Sequence, residues 1–167
     1  VKIVSDGDDV QVGAFRQVNP NGGATPNEQA RYKVHAFQNA VHPDGYNGLN
    51  PFEVSFARAL DEIGHPWARN PANTGYGIPL VHPDGSSTKF FPDFIMWTDS
   101  GVFFFETKGS HLWESFQAGK LMELPEGFSV VGVTQKKDGY HLVRKANGQA
   151  FTDQAETIPK LLTSLFA

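Results

Sequence analysis

The sequence predicts an α/β domain built on a mixed central sheet flanked by helices. Three observations predict it. Two apolar runs, Phe90-Phe91-Pro92-Asp93-Phe94-Ile95 and Phe103-Phe104-Phe105, flank the turn tripeptide Asp99-Ser100-Gly101, which is the pattern of a β-hairpin. Residues Asn50 to Ile63 carry Phe52, Phe56, Ala59/Leu60 and Ile63 at helical spacing. The stretch Phe128-Ser129-Val130-Val131-Gly132-Val133-Thr134 is apolar in the manner of a strand buried on both faces.

Residues 1–48 are rich in Gly, Asn, Asp and Pro and read as a loop-rich N-terminal extension, with Val10-Gln11-Val12 and Phe15-Arg16-Gln17-Val18 as short accessory strands and Asn19-Pro20-Asn21-Gly22-Gly23 as a loop. Arg31 to Val41 has apolar residues without a period and takes no assignment. Residues 49–167 read as the core. Its first helix has Asn50 as N-cap and Pro51 at the first helical position, and Gly64 and Pro66 end it. A strand is expected near Trp67-Ala68-Arg69, then a loop, then a strand at Ile78-Pro79-Leu80-Val81 and a turn at His82-Pro83-Asp84-Gly85. The central hairpin should span roughly Lys89 to Lys108. A second helix runs from Leu112 to Leu124, stopped by Pro125 and Gly127. Its crossover to the Val130 strand should be parallel and right-handed. Lys137-Asp138-Gly139 turns the chain into Tyr140-His141-Leu142-Val143-Arg144, and a last amphipathic helix is expected from about Ala155 to Leu165.

Composition bounds the chemistry. The chain has 167 residues, enough for one domain with a real core. No apolar run approaches the ~18 residues that span a membrane, and the opening residues do not read as a signal peptide. A cytoplasmic location is expected. The chain opens on Val1 instead of Met, so a domain cut from a longer protein, or a processed one, is expected. It has no cysteine, which excludes disulfides and thiolate metal sites; any metal must use oxygen or imidazole ligands. The six histidines show no zinc-ligand spacing. No Gly-rich phosphate loop is present. A formal net charge of −4 argues against autonomous tight DNA binding, which rests on Lys and Arg, but not against an acidic DNA-cutting site.

The hairpin carries the sharpest signal. If Asp99 and Ser100 form its loop, Asp93 lies across from Glu106, while Glu106 and Lys108 share a face opposite Phe105 and Thr107. Directly opposed carboxylates destabilise a sheet pair and need a counter-charge. A divalent cation with Lys108 beside it supplies one. Blander readings stand next to this. Asp93 and Glu106 fit solvated residues on an exposed sheet face, Lys108 fits a plain ion-pair partner, and Glu53 fits a capping-box glutamate three residues after Asn50.

Pro92-Asp93 followed by Glu106-Thr107-Lys108, behind a helix bearing Glu53, resembles the PD-(D/E)XK nuclease superfamily, over roughly Asn50 to Thr134. The order Arg69-Asn70, Ile78-Pro79, Pro92-Asp93-Phe94 and Glu106-Thr107-Lys108-Gly109 is most similar to the endonuclease domain of type III restriction enzymes. The resemblance implies a restriction-endonuclease-like αβββαβ core and a metal-dependent deoxyribonuclease. It also implies that Asp93, Glu106 and the Thr107 backbone carbonyl ligate Mg²⁺, for which Mn²⁺ substitutes. Glu53 would reach the metal directly or through water, and Lys108 would position the attacking water. His111, Gln117 and Lys120, on or near the second helix, are candidates for contact with nucleic acid, each weighed against a solvated helix face. Arg69, Asn70 and Lys89 are candidates for phosphate contact. DNA and further domains or subunits of a larger nuclease assembly are the expected partners. The alternative is a catalytically inactive nuclease-fold module that binds DNA or another protein, and a weaker one is a hydrolase of a small phosphorylated substrate.

Overall fold

A computed structural model describes residues 34–146 and 148–166, without the side chains of Gln117 and Ala118. The accessory strands expected at 10–12 and 15–18, and the loop between 19 and 23, lie outside the described residues. The described part of the N-terminal stretch is tied to the core. His35 and Tyr46 form an antiparallel bridge, Ala40 pairs in parallel with Trp67, and Tyr46 is fully buried with its ring 5.7 Å from that of Trp67. Asp61 anchors this segment by accepting from the backbone N–H groups of Gln38 and Asn39 and from Trp67 Nε1.

Helix α1, Pro51–Ile63, starts as expected: Asn50 Oδ1 accepts from Glu53 N at 2.8 Å, and Glu53 Oε1 accepts from Asn50 N at 3.1 Å. This reciprocal pair satisfies two backbone donors that the first turn cannot. Gly64 ends the helix in the left-handed region, where a side chain would be strained. Then follow β1 (Trp67–Arg69), β2 (Ile78–Val81), β3 (Ser87–Phe90), β4 (Phe94–Thr98) and β5 (Gly101–Lys108). After them come α2 (Ser110–Ser115), a π turn over Phe116–Lys120, α3 (Leu121–Glu123), β6 (Ser129–Lys136), β7 (Gly139–Ala146), β8 (Gln149–Ala155) and α4 (Ile158–Phe166).

Six strands form one sheet in the order β1-β4-β5-β6-β7-β8, and β2 and β3 pair only with each other. The sheet is mixed: β5 and β6 are parallel and its other pairs antiparallel. The β4–β5 hairpin has the expected register, with Phe94 opposite Phe105 and Thr98 opposite Gly101, so Asp99 and Ser100 alone form its loop. Side-chain alternation splits the strands between two cores. Phe94, Met96, Phe105 and Val133 face α1 and α4, meeting Phe56, Leu60, Leu161 and Leu162. Ile95, Phe104, Val130 and Val143 face the other way, against the β2–β3 ribbon and the α2–α3 segment, meeting Ile78, Leu80, Trp113 and Phe116. Of the three tryptophans, Trp67 and Trp113 are buried and Trp97 is partly buried, packed against the second core.

Three elements differ from the sequence reading. Ser87–Phe90 is a strand of its own, paired to β2 across the His82–Gly85 turn, and not the start of the central hairpin. Gln149–Ala155 is a strand, so the last helix starts at Ile158, not near Ala155. The helix expected over Leu112–Leu124 begins at Ser110 and is interrupted by the π turn. The Phe116 ring in that turn lies over Gly132 of β6, where a Cβ would overlap it. Among the described residues no helix is long and apolar enough to cross a membrane.

Candidate active site

The sheet brings together four elements at one point. The start of β4 and the end of β5 meet there, β1 flanks β4, and the first turn of α1 lies over them. Asp93 immediately precedes β4, one step beyond the last hairpin pair, and its carboxylate reaches further along β5. Asp93 Oδ2 accepts from Thr107 N at 2.9 Å and from Thr107 Oγ1 at 3.0 Å. Asp93 Oδ1 accepts from Arg69 Nη1 at 2.8 Å. The other Arg69 terminal nitrogen, Nη2, lies 2.8 Å from Glu53 Oε2. Glu53 therefore does two jobs: one oxygen caps α1 and the other meets Arg69. It is joined to Asp93 through the guanidinium.

Glu106 is the most constrained group. It is only 5% exposed, and Oε2 is 3.0 Å from Lys108 Nζ. Oε1 is buried, and no N–H or hydroxyl reaches it. Instead the Asp93 carboxylate stands within hydrogen-bonding reach of Glu106. Burial, and then the charge and hydrogen bond of Asp93, push the Glu106 carboxyl up to about 8, against the opposing pull of Lys108. Asp93 goes the other way. Burial works against its ionisation, but the charge of Arg69, hydrogen bonds from Glu106 and Arg69, and the Thr107 N–H hold it below the ordinary carboxylate range. In the metal-free pair, Glu106 keeps the proton and Asp93 the charge.

The buried Glu106 oxygen is compatible with a cation, since two facing carboxylates, one with an oxygen that no donor reaches, can share either a proton or a metal ion. The oxygen-only donor set suits Mg²⁺, which is held by one or two carboxylates and keeps several waters. Among the described residues no three His, Asp or Glu side chains are grouped to hold a metal. The pair Asp93 and Glu106 would thus leave the remaining positions to water, backbone and substrate oxygens. Thr107 donates to Asp93 through both its N–H and its hydroxyl.

No family model, curated protein or solved structure matches this chain.

The outer candidates separate by environment. Arg69 lies inside the site, stacked 5.2 Å over the Phe94 ring and paired to two acids, so its charge is spent within the protein. Asn70 is 1% exposed. Its Nδ2 donates to Tyr76 O and Pro92 O, and its Oδ1 accepts from Tyr76 N. Its amide holds the 71–76 loop against the Pro92 segment leading to Asp93 and is not presented to a ligand. Lys89, His111 and Lys120 are exposed. The His111 ring lies against Gly109, one residue past Lys108. The Gln117 side chain lies outside the described residues. Sequence reasoning missed the Thr107 hydroxyl as a ligand of Asp93 and Arg69 as the bridge between Asp93 and Glu53. The available signal for the second was a charged arginine directly after two hydrophobic residues, Trp67 and Ala68.

Proposed function

We propose that this domain is a metal-dependent endonuclease of the PD-(D/E)XK type that hydrolyses DNA phosphodiester bonds, as one module of a larger restriction or repair-type protein. One observation carries the reading: the buried Glu106 oxygen that no donor reaches, facing Asp93, with Lys108 on the other oxygen of the same carboxylate. A carboxyl held in that state is a ligand in waiting.

Asp93 and Glu106 would hold the ion, Mg²⁺ or Mn²⁺. When bound, a divalent cation polarises a phosphoryl oxygen and makes water acidic enough to attack. The residues of the chain supply the rest. Arg69 and Thr107 keep Asp93 ionised and fix its orientation. Glu106 would give up its proton to solvent when the ion binds. Lys108, 3.0 Å from Glu106 Oε2, would stay beside the site, where its ammonium would orient the attacking water and pair with phosphate charge. Glu53 holds Arg69 in place from α1.

A specific observation favours a second reading, a nuclease-fold module without catalysis. Asp93 and Glu53 both carry protein partners, so the acidic cluster is already partly neutralised by Arg69. Plasmid cleavage separates the two. The purified chain with Mg²⁺ or Mn²⁺ should nick or linearise plasmid, EDTA should stop it, and Asp93→Ala and Lys108→Ala should each lose it while staying folded. Cleavage retained by Asp93→Ala would sink the site. Metal-independent inertness of the wild type, together with an unchanged melting temperature in Mn²⁺, would favour the non-catalytic module.

A further inference from the structure

We infer that Arg69 stands where a second metal ion would otherwise sit, so that this site holds a single divalent cation, between Asp93 and Glu106. The inference rests on the metal-dependent reading above and goes beyond it by fixing the number of ions. The guanidinium spans Glu53 Oε2 and Asp93 Oδ1, 2.8 Å from each, and Nη1 also donates to the Asp93 backbone oxygen at 2.9 Å. Both Glu53 oxygens carry partners: Oε2 meets Arg69 and Oε1 accepts from the Asn50 N–H. An arginine is charged at any working pH and its planar fork suits two carboxylates at once. A metal ion bridging Glu53 and Asp93 would have to displace it against like-charge repulsion. Glu106 presents the opposite case, a buried oxygen that no donor reaches.

Charge balance agrees. Glu53, Asp93 and Glu106, all ionised, against Arg69 and Lys108 leave one net negative charge. One divalent ion turns this to one net positive charge, which the single charge of a phosphodiester neutralises. A second ion would leave two positive charges buried without partners.

The test is a Mn²⁺ titration of the intact chain without DNA, reading free Mn²⁺ by electron paramagnetic resonance. The wild type should bind one ion per chain. Arg69→Met, which opens Glu53 and Asp93, should bind two. Two ions in the wild type, or one in folded Arg69→Met, would overturn the inference and leave the nuclease reading standing. No bound ion in the wild type would overturn the metal-dependent reading itself, and this inference with it. Should Arg69→Met fail to fold, Glu53→Gln decides. Glutamine can still serve the capping box, and the variant should bind one ion as tightly as the wild type. Loss of the ion would make Glu53 a ligand and reject the role given to Arg69.

Discussion

At the residue scale, the site is governed by one buried proton. Glu106 holds it up to about pH 8, whereas in the unfolded chain a glutamate releases it near its ordinary 4.5. Between those values the folded state binds a proton that the unfolded state does not, so stability falls as pH rises through the window. Asp93 has the opposite sign, since its lowered pKa adds stability that is lost only as pH falls below the ordinary carboxylate range. Glu106→Gln removes the first dependence and keeps the shape. Urea unfolding at pH 5.5 and pH 8 should show the wild type markedly less stable at the higher pH, and Glu106→Gln nearly level between them. A wild type that is flat with pH would mean the proton is not held at this pair. Asp93, Glu106 and Lys108 were legible in the sequence because a two-residue turn dictates their register. Arg69 was named as a contact to nucleic acid, but its bridging role was not legible, because it meets Asp93 across 24 residues of chain and only the pairing of β1 with β4 brings them together.

At the element scale, the π turn is explained by what lies beneath it. Gly132 pairs with Glu106 across the parallel β5–β6 ladder, and the Phe116 ring occupies the space that a side chain at 132 would take. The turn thus lowers an aromatic ring onto the sheet beside the buried acid. Gly132→Ala should destabilise the domain by about 1–3 kcal/mol, the usual cost of overpacking a tight core. Thermal unfolding measures it, and a neutral substitution would mean the ring moves aside freely. The sequence reading of helix and strand held where burial leaves a plain mark, a helical period in α1 and apolar runs in β5 and β6. It missed β8 because an edge strand with almost every side chain in solvent shows no alternation. It merged β3 into the central hairpin because three polar residues, Ser87, Thr88 and Lys89, lead into an apolar run. Their pairing to β2 depends on a turn whose consequence is non-local.

At the scale of the whole molecule, the mixed α/β architecture was readable from the alternation of periodic segments, while the separation of β2 and β3 from the main sheet was not. The sheet is assembled from contacts of very different range. The β4–β5 hairpin closes over two residues, whereas β1 must return from far upstream and β6 must arrive after a helical crossover. Local contacts generally form before distant ones in a folding chain. A hairpin formed in that order juxtaposes Asp93 and Glu106 before Arg69 has docked, so for an interval two carboxylates approach each other with only Lys108 nearby. In that order the repulsion between the two acids would act as a kinetic obstacle to folding. Stopped-flow refolding should be faster at pH 5 than at pH 8, because a proton shared by the pair removes the repulsion on the way up the barrier. Refolding rates that ignore pH, with all the sensitivity in unfolding, would place the meeting of the two acids after the rate-limiting step.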